Sequence, residues 1–169
     1  MADEVKWPLD NFTLGKLKSC IPTIDLIYDS MRIVDPINKK VLWWDGRNME
    51  DMTETCYDFW RRGKLCDNCI SARANNENKC IIKLEPGSNC IMMVTAFPMA
   101  DIGKPLVLEL LKDVTDNLIF SPKTSPNADQ VYTVITDLSN MVVTDHLTSL
   151  YNRRFVDDHL EADINKALQ

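Results

Sequence analysis

Hydrophobic positions follow two different periods along the chain, and the changes between them mark its elements. Ile21, Ile24, Ile27 and Met31 recur at helical spacing, and Pro22 suits a first helical turn, so the pattern predicts a short helix from Pro22 to Ser30. Arg32-Ile-Val and Val41-Leu-Trp-Trp are β-rich runs on either side of Asp-Pro-Ile-Asn-Lys-Lys, which has turn chemistry; the three together read as a hairpin ended by Asp45-Gly46. The next forty residues or so are polar and irregular, with short helical stretches expected at Cys56 to Arg61 and Ile70 to Asn76. Three strands are predicted after them, at Lys79 to Leu84, Cys90 to Phe97 and Leu106 to Leu111, separated by Glu-Pro-Gly-Ser and by a Pro98 to Pro105 stretch containing Gly103. Two strands, a helical middle and three more strands predict an α+β fold: a five-stranded antiparallel sheet with helices on one face. Residues 1–21 read as a loosely packed lead-in, with Trp7 docked on the core.

Beyond Ile119-Phe120, Ser-Pro-Lys-Thr-Ser-Pro reads as a linker in which Ser125 caps a new helix and Pro126 occupies its first position. Val131, Val134, Leu138 and Met141 then form an apolar stripe at intervals of three, four and three. A helix from Ala128 to Thr144 spans about 25 Å. The stripe is expected to pair with its copy in a homodimer; the alternative is that it packs on the chain's own sheet. Asp145 then opens a further helical run carrying Leu147, Leu150 and Phe155.

The chain has 169 residues, 45% of them hydrophobic and 26% charged, the mixture of one globular domain with additional segments. A net charge of −6 argues against a nucleic-acid surface, which needs a concentrated basic face. The longest apolar run, Cys90 to Phe97, falls far short of the roughly 20 residues that span a bilayer, so no membrane partner is expected. The amino terminus has no basic-then-apolar signal segment, and a reducing, cytoplasmic setting for the six cysteines follows as the expectation.

Cys66 and Cys69 form a Cys-x-x-Cys pair, with Cys56 before it and Cys80 after it. Thiolates at this spacing suit one zinc ion or an iron-sulfur cluster, which take three or four ligands. A thiol redox switch is the second reading, with the Cys66 pKa lowered at a helix start; inert buried cysteine is the third. A histidine-ligated haem inside the domain lacks a ligand, because His146 and His159 both follow the stripe. Trp43, Trp44, Phe59, Trp60 and Phe97 are candidates to line a small-molecule cavity, or else to form plain core.

Two resemblances bring these parts together. The strand order, with Val107-Leu-Glu-Leu-Leu-Lys-Asp-Val-Thr-Asp closing the last strand, resembles the PAS sensory fold and its exit motif. In that family the aspartate and threonine, here Asp113 and Thr115, join the sheet edge to the outgoing helix. Asp145-His-Leu-Thr-Ser-Leu-Tyr-Asn-Arg-Arg is similar to the D-x-L-T-x-L-x-N-R-R signature that opens GGDEF domains, the diguanylate cyclases that join two GTP molecules into cyclic di-GMP; Ser149 stands where that family usually has glycine. The resemblances divide the chain into a lead-in (1–21), a PAS-like sensory domain (22–116), a linker (117–126), a signalling helix (127–144) and the truncated start of a GGDEF domain (145–169). They imply the sensory and dimerising region of a bacterial-type diguanylate cyclase, coupling a small-molecule, metal or redox signal to cyclic di-GMP synthesis. The other reading is a PAS domain that only dimerises its output domain. The loop that holds GTP and Mg is missing from the chain, so this region itself is not expected to catalyse.

Overall fold

The computed structural model describes residues 12–44, 47–61, 63–87, 90–100, 103–115, 117 and 128–168. Among the described residues the fold is α+β, with one open antiparallel sheet of six strands and four helices. In chain order the elements are α1 (Leu14–Ile27), β1 (Ser30–Asp35), β2 (Lys40–Trp44), β3 (Met49–Thr55), a single 3-10 turn (Asp58–Trp60), α2 (Ile70–Glu77), β4 (Ile81–Pro86), β5 (Ile91–Met99), β6 (Leu106–Asp113), α3 (Ala128–Val143) and α4 (Arg153–Ala167). Across the sheet the order is β3-β2-β1-β6-β5-β4, so β6, the last strand in sequence, lies at its centre. Six consecutive residues of β6, Leu106 to Leu111, are buried. A strand covered on both faces reads as a continuous apolar run, and that is how Val-Leu-x-Leu-Leu reads.

The hairpin expectation is met. β1 and β2 pair through Ile33 with Leu42 and Val34 with Val41, and Asp35 Oδ1 accepts from the N–H groups of Ile37 and Asn38 to set the turn. Four other expectations need correction. The sheet has six strands rather than five, because Met49–Thr55 pairs with β2 at the sheet edge. Its Met-Glu-Asp-Met-Thr-Glu-Thr sequence is mostly exposed on both faces, so the apolar alternation that marks a half-buried strand is missing.

The second correction concerns the amino-terminal segment. The first helix begins at Leu14, not Pro22, with Thr13 Oγ1 accepting from Lys16 N as its cap and Pro22 inside the helix. Leu17, placed by the sequence in the lead-in, is fully buried. Met31 belongs to β1 instead of the helical stripe, and Ile27 is exposed.

Third, helices cover both faces of the sheet. Side chains alternate across a strand. Leu106, Leu108 and Leu110 therefore face α1, where they meet Leu17, Ile24, Ile33 and Leu42. Val107 and Leu111 face α2 and meet Ile70, Ala74, Val94 and Ala96. α3 lies on the α1 face, where Val131 and Ile135 pack on Ile91 and Val114. Fourth, the run from Asp145 is not helical at its start: α3 ends at Val143, a turn follows, and α4 begins only at Arg153. Trp7, the Asp45-Gly46 turn, and Ser125 and Pro126 of the linker lie outside the described residues. No helix among the described residues is long and apolar enough to cross a membrane.

Truncating Leu17 to alanine should lower stability by about 2–5 kcal/mol, the usual cost of a large-to-small change at a closed core site. Urea unfolding checks this; an unchanged midpoint would return α1 to the status of a lead-in.

Candidate functional site

The centre of the α2 face is polar. Glu109 of β6 sits directly opposite Arg32 of β1 in the strand register, and Arg32 Nε reaches Glu109 Oε2 at 2.6 Å. The other carboxylate oxygen of Glu109 accepts from the Ser71 hydroxyl on the first turn of α2. Arg32 also donates through Nη1 to the backbone oxygen of Cys56 at 2.9 Å. Lys83 of β4 pairs with buried Glu85 and donates to Asn68 O at 2.8 Å. Every buried charge here has partners, as the cost of burying an unpaired one requires.

The segment between β3 and α2 closes over this network and carries three of the cysteines. Cys56, Cys66 and Cys69 line a cavity of about 20 Å³ beside Arg32, Glu109 and Trp60. They also line an adjoining one of about 10 Å³, with Lys39 and His159. Lys39 Nζ lies 3.9 Å from Cys69 Sγ. Cys80 lines neither cavity. Although three thiols converge, no group of three or more His, Cys, Asp and Glu side chains among the described residues is placed to hold a metal ion. No disulfide links any of the six cysteines, all of which are among the described residues.

The lowered thiol pKa expected at Cys66 is also reversed. α2 starts at Ile70 with Cys69 as its cap residue, which leaves Cys66 outside the helix end. Burial pushes the Cys66 thiol up to about 12, with the neighbouring Cys69 adding to the rise. Burial raises Cys56 further still and raises Cys80 as well. These are protonated, weakly nucleophilic thiols at neutral pH.

The five aromatic candidates do not enclose one cavity. Trp43 and Phe59 are exposed at 59% and 49%, with Arg32 Cζ 5.0 Å from the centre of the Phe59 ring. Trp44 and Phe97 pack with the α1 face, and Trp60 alone reaches the polar centre on the other. Neighbours in sequence on a strand point to opposite faces, so aromatic content alone says nothing about convergence.

At the end of β6, Thr115 N and Oγ1 both donate to Asp113 Oδ1, at 2.9 and 2.5 Å, and Thr115 Oγ1 accepts from Ile91 N. These bonds from Thr115 hold the Asp113 carboxyl below its usual range. Asp113 N donates to Asp29 at 2.7 Å. The pair thus ties the end of β6 to the start of β5 and to the α1–β1 junction. Val114 between them, which sequence reasoning passed over, is the residue that packs on Val131 and Ile135 of α3.

The four-residue stripe of α3 is divided. Val131 is buried on the sheet, whereas Val134, Leu138 and Met141 remain exposed at 55%, 56% and 71%. Ile135, off the predicted stripe, is buried beside Val131.

Polar residues of the Asp145 segment build the joint from α3 to α4. Asp145 Oδ1 accepts from Leu147 N, Thr148 N and Thr148 Oγ1 at 3.2, 3.0 and 2.9 Å, and the bonds from Thr148 hold its carboxyl below the usual range. Asn152 Nδ2 donates back to Val142 O at 2.7 Å, and its Oδ1 accepts from Phe155 N in the first turn of α4. A bridge between Thr144 and Tyr151 closes the loop. Ser149 takes φ +58° within it, a left-handed conformation that glycine adopts without strain. α4 then lies on α2: His159, buried between its stacked neighbour Phe155 and the cysteine segment, places Nε2 2.9 Å from Cys66 O. Arg154 reaches Glu77, and Asn76 reaches Asp157 O.

Two outcomes follow. The Cys66 thiol has a reference value of 9.0 and lies near 12 in the fold, so the folded state keeps a proton that the unfolded chain releases. Its contribution to stability is complete below about pH 9 and should fall as pH rises toward 12, with Cys56 acting in the same direction. Urea midpoints measured across that window should drop, and drop less in Cys66→Ala. Separately, Ser149→Gly should stabilise the joint by up to about 1 kcal/mol by removing the left-handed penalty, read as slower amide exchange around residues 144–152.

Comparison with known proteins finds no family model, no curated protein and no solved structure that matches the chain.

Proposed function

We propose that this chain is the sensory and dimerising regulatory region of a diguanylate cyclase, coupling an input at the PAS-like domain to cyclic di-GMP synthesis by a GGDEF output domain. The observation that carries this reading is the Asp145 to Arg154 segment. Its Asp, Thr and Asn each make the side-chain bonds that fold the joint, and its one departure from the family pattern, Ser149, sits at the position whose φ favours glycine. A segment carrying those residue types is suited to join a signalling helix to the first helix of an output domain. Support for the input side comes from the knot at Asp113 and Thr115, next to Val114, which touches α3 directly. A shift in the sheet end would move α3, and with it the facing of two output domains, each holding one GTP.

Val134, Leu138 and Met141 are the proposed dimer seam, at helical spacing of four and three and all exposed in one chain. Val131 is not part of it. Light scattering at high micromolar concentration should therefore report a dimer, and Met141→Glu should shift it toward monomer. In a longer chain that carries this segment and an output domain, GTP should be converted to cyclic di-GMP, and Met141→Glu should lower the rate by at least about tenfold through the lost effective concentration. A longer chain that leaves GTP unchanged would overturn the proposal.

A further inference from the structure

Between α2, edge strand β4 and α3 lies a groove of about 280 Å³, near the lower end of the 300–1,000 Å³ common for small-molecule sites. Ile81 and Ile82 of β4 form one wall, and Ile135, Leu138 and Val142 of α3 form the other. Ile82 is 64% exposed, so an apolar occupant would cover surface that faces water whether or not Leu138 is taken up by the dimer seam proposed above.

Arg73 and Lys83 are the two charged side chains that line the groove, and they differ in what they have left to offer. Lys83 is already held by Glu85 and by Asn68 O. Arg73 gives Nε to Glu77 at 3.4 Å, one helical turn on, and its charge also acts on the half-buried carboxyl of Asp158; its two terminal nitrogens make no hydrogen bond among the described residues. A guanidinium with free terminal nitrogens matches the two oxygens of a carboxylate. No acidic side chain lines the groove, which disfavours an amine in the same place.

We propose that this groove is a binding site for a small amphipathic carboxylate, its apolar tail held between β4 and α3 and its carboxylate on Arg73. Such an occupant touches the sheet and α3 at once, so its binding depends on where α3 lies. That coupling rests on the function proposed above; the binding step does not.

Titration calorimetry with sodium octanoate on the 169-residue chain tests it, with octanol and octylamine as probes of equal tail length. Octanoate should bind saturably at one site, octanol about ten- to a hundredfold more weakly for want of the charge-assisted bond, and octylamine not at all. Arg73→Gln should bring octanoate down to the level of octanol, while Ile82→Ser should weaken both; circular dichroism confirms that each variant is folded. Absence of saturable octanoate binding, equal affinity for octylamine, or a folded Arg73→Gln that binds octanoate unchanged would overturn the proposal. Should Arg73→Gln not fold, the contrast between octanoate and octylamine on the unaltered chain decides. None of these readings involves cyclase activity, so failure here leaves the proposed function standing.

Discussion

Glu109 imposes the constraint around which the α2 side is organised. It is a carboxylate in the central strand of a sheet covered on both faces, 2% exposed, and an ionised group at such a depth is tolerated only when paired and hydrogen-bonded. Arg32 from the neighbouring strand supplies the opposite charge, and Ser71 from α2 supplies a hydroxyl. Because Arg32 also donates to Cys56 O, one network fixes β1, β6, α2 and the start of the cysteine segment relative to one another. Removing either charge would strand the other, whereas the apolar contacts around them tolerate gradual change. A buried pair of this kind adds little net stability over apolar side chains of similar volume.

The cysteines take their chemistry from that enclosure. Of the three thiols gathered beside a carboxylate, Cys56 and Cys66 are pushed up by desolvation and by their cysteine neighbours, the reverse of what an exposed helix start does to a thiol. Their positions serve closure of the segment: Cys69 precedes α2, the Cys56 carbonyl anchors Arg32, and the Cys66 carbonyl receives His159 from α4. Backbone groups of the cysteine-bearing positions thus carry contacts that a reading of side-chain chemistry does not reveal.

At the carboxyl end the chain uses both faces of the sheet. α3 packs on the α1 side through Val131 and Ile135, the Asp145 joint turns the chain, and α4 lies against α2. The polar face of α4 makes these contacts, while Val156, Leu160 and Ile164 stay exposed. α3 is likewise two-sided, with one edge committed to the sheet and Val134, Leu138 and Met141 outward. In the proposed regulatory role this gives the arm two sets of contacts, one to the sensory body and one to further partners.

How much was legible in the residues follows from how local each signal is. Alternation, turn chemistry and helical spacing are short-range properties, so the β1–β2 hairpin, α2, the last three strands and the α+β class were readable along the chain. At Asp145 the spacing of Leu147, Leu150 and Phe155 points to a helix, whereas Asp145, Thr148 and Asn152 bond into a turn and α4 starts only at Arg153. Edge strand β3 was hidden, since a strand solvated on both faces carries no apolar period, and α1 was placed late because Pro22 imitates a helix start while lying inside the helix. Glu109 offered a signal as the lone charge in an apolar run, but nothing near it named Arg32, 77 residues away, as its partner. The same limit applies to His159 against Cys66, to the scattering of five aromatics over two faces and to the division of the α3 stripe. The sequence by itself determined most of the elements and the β1–β2 turn; which faces meet, which charges pair and how far burial raises a thiol were decided only by tertiary structure, because those depend on long-range packing and exclusion of water that no local spacing encodes.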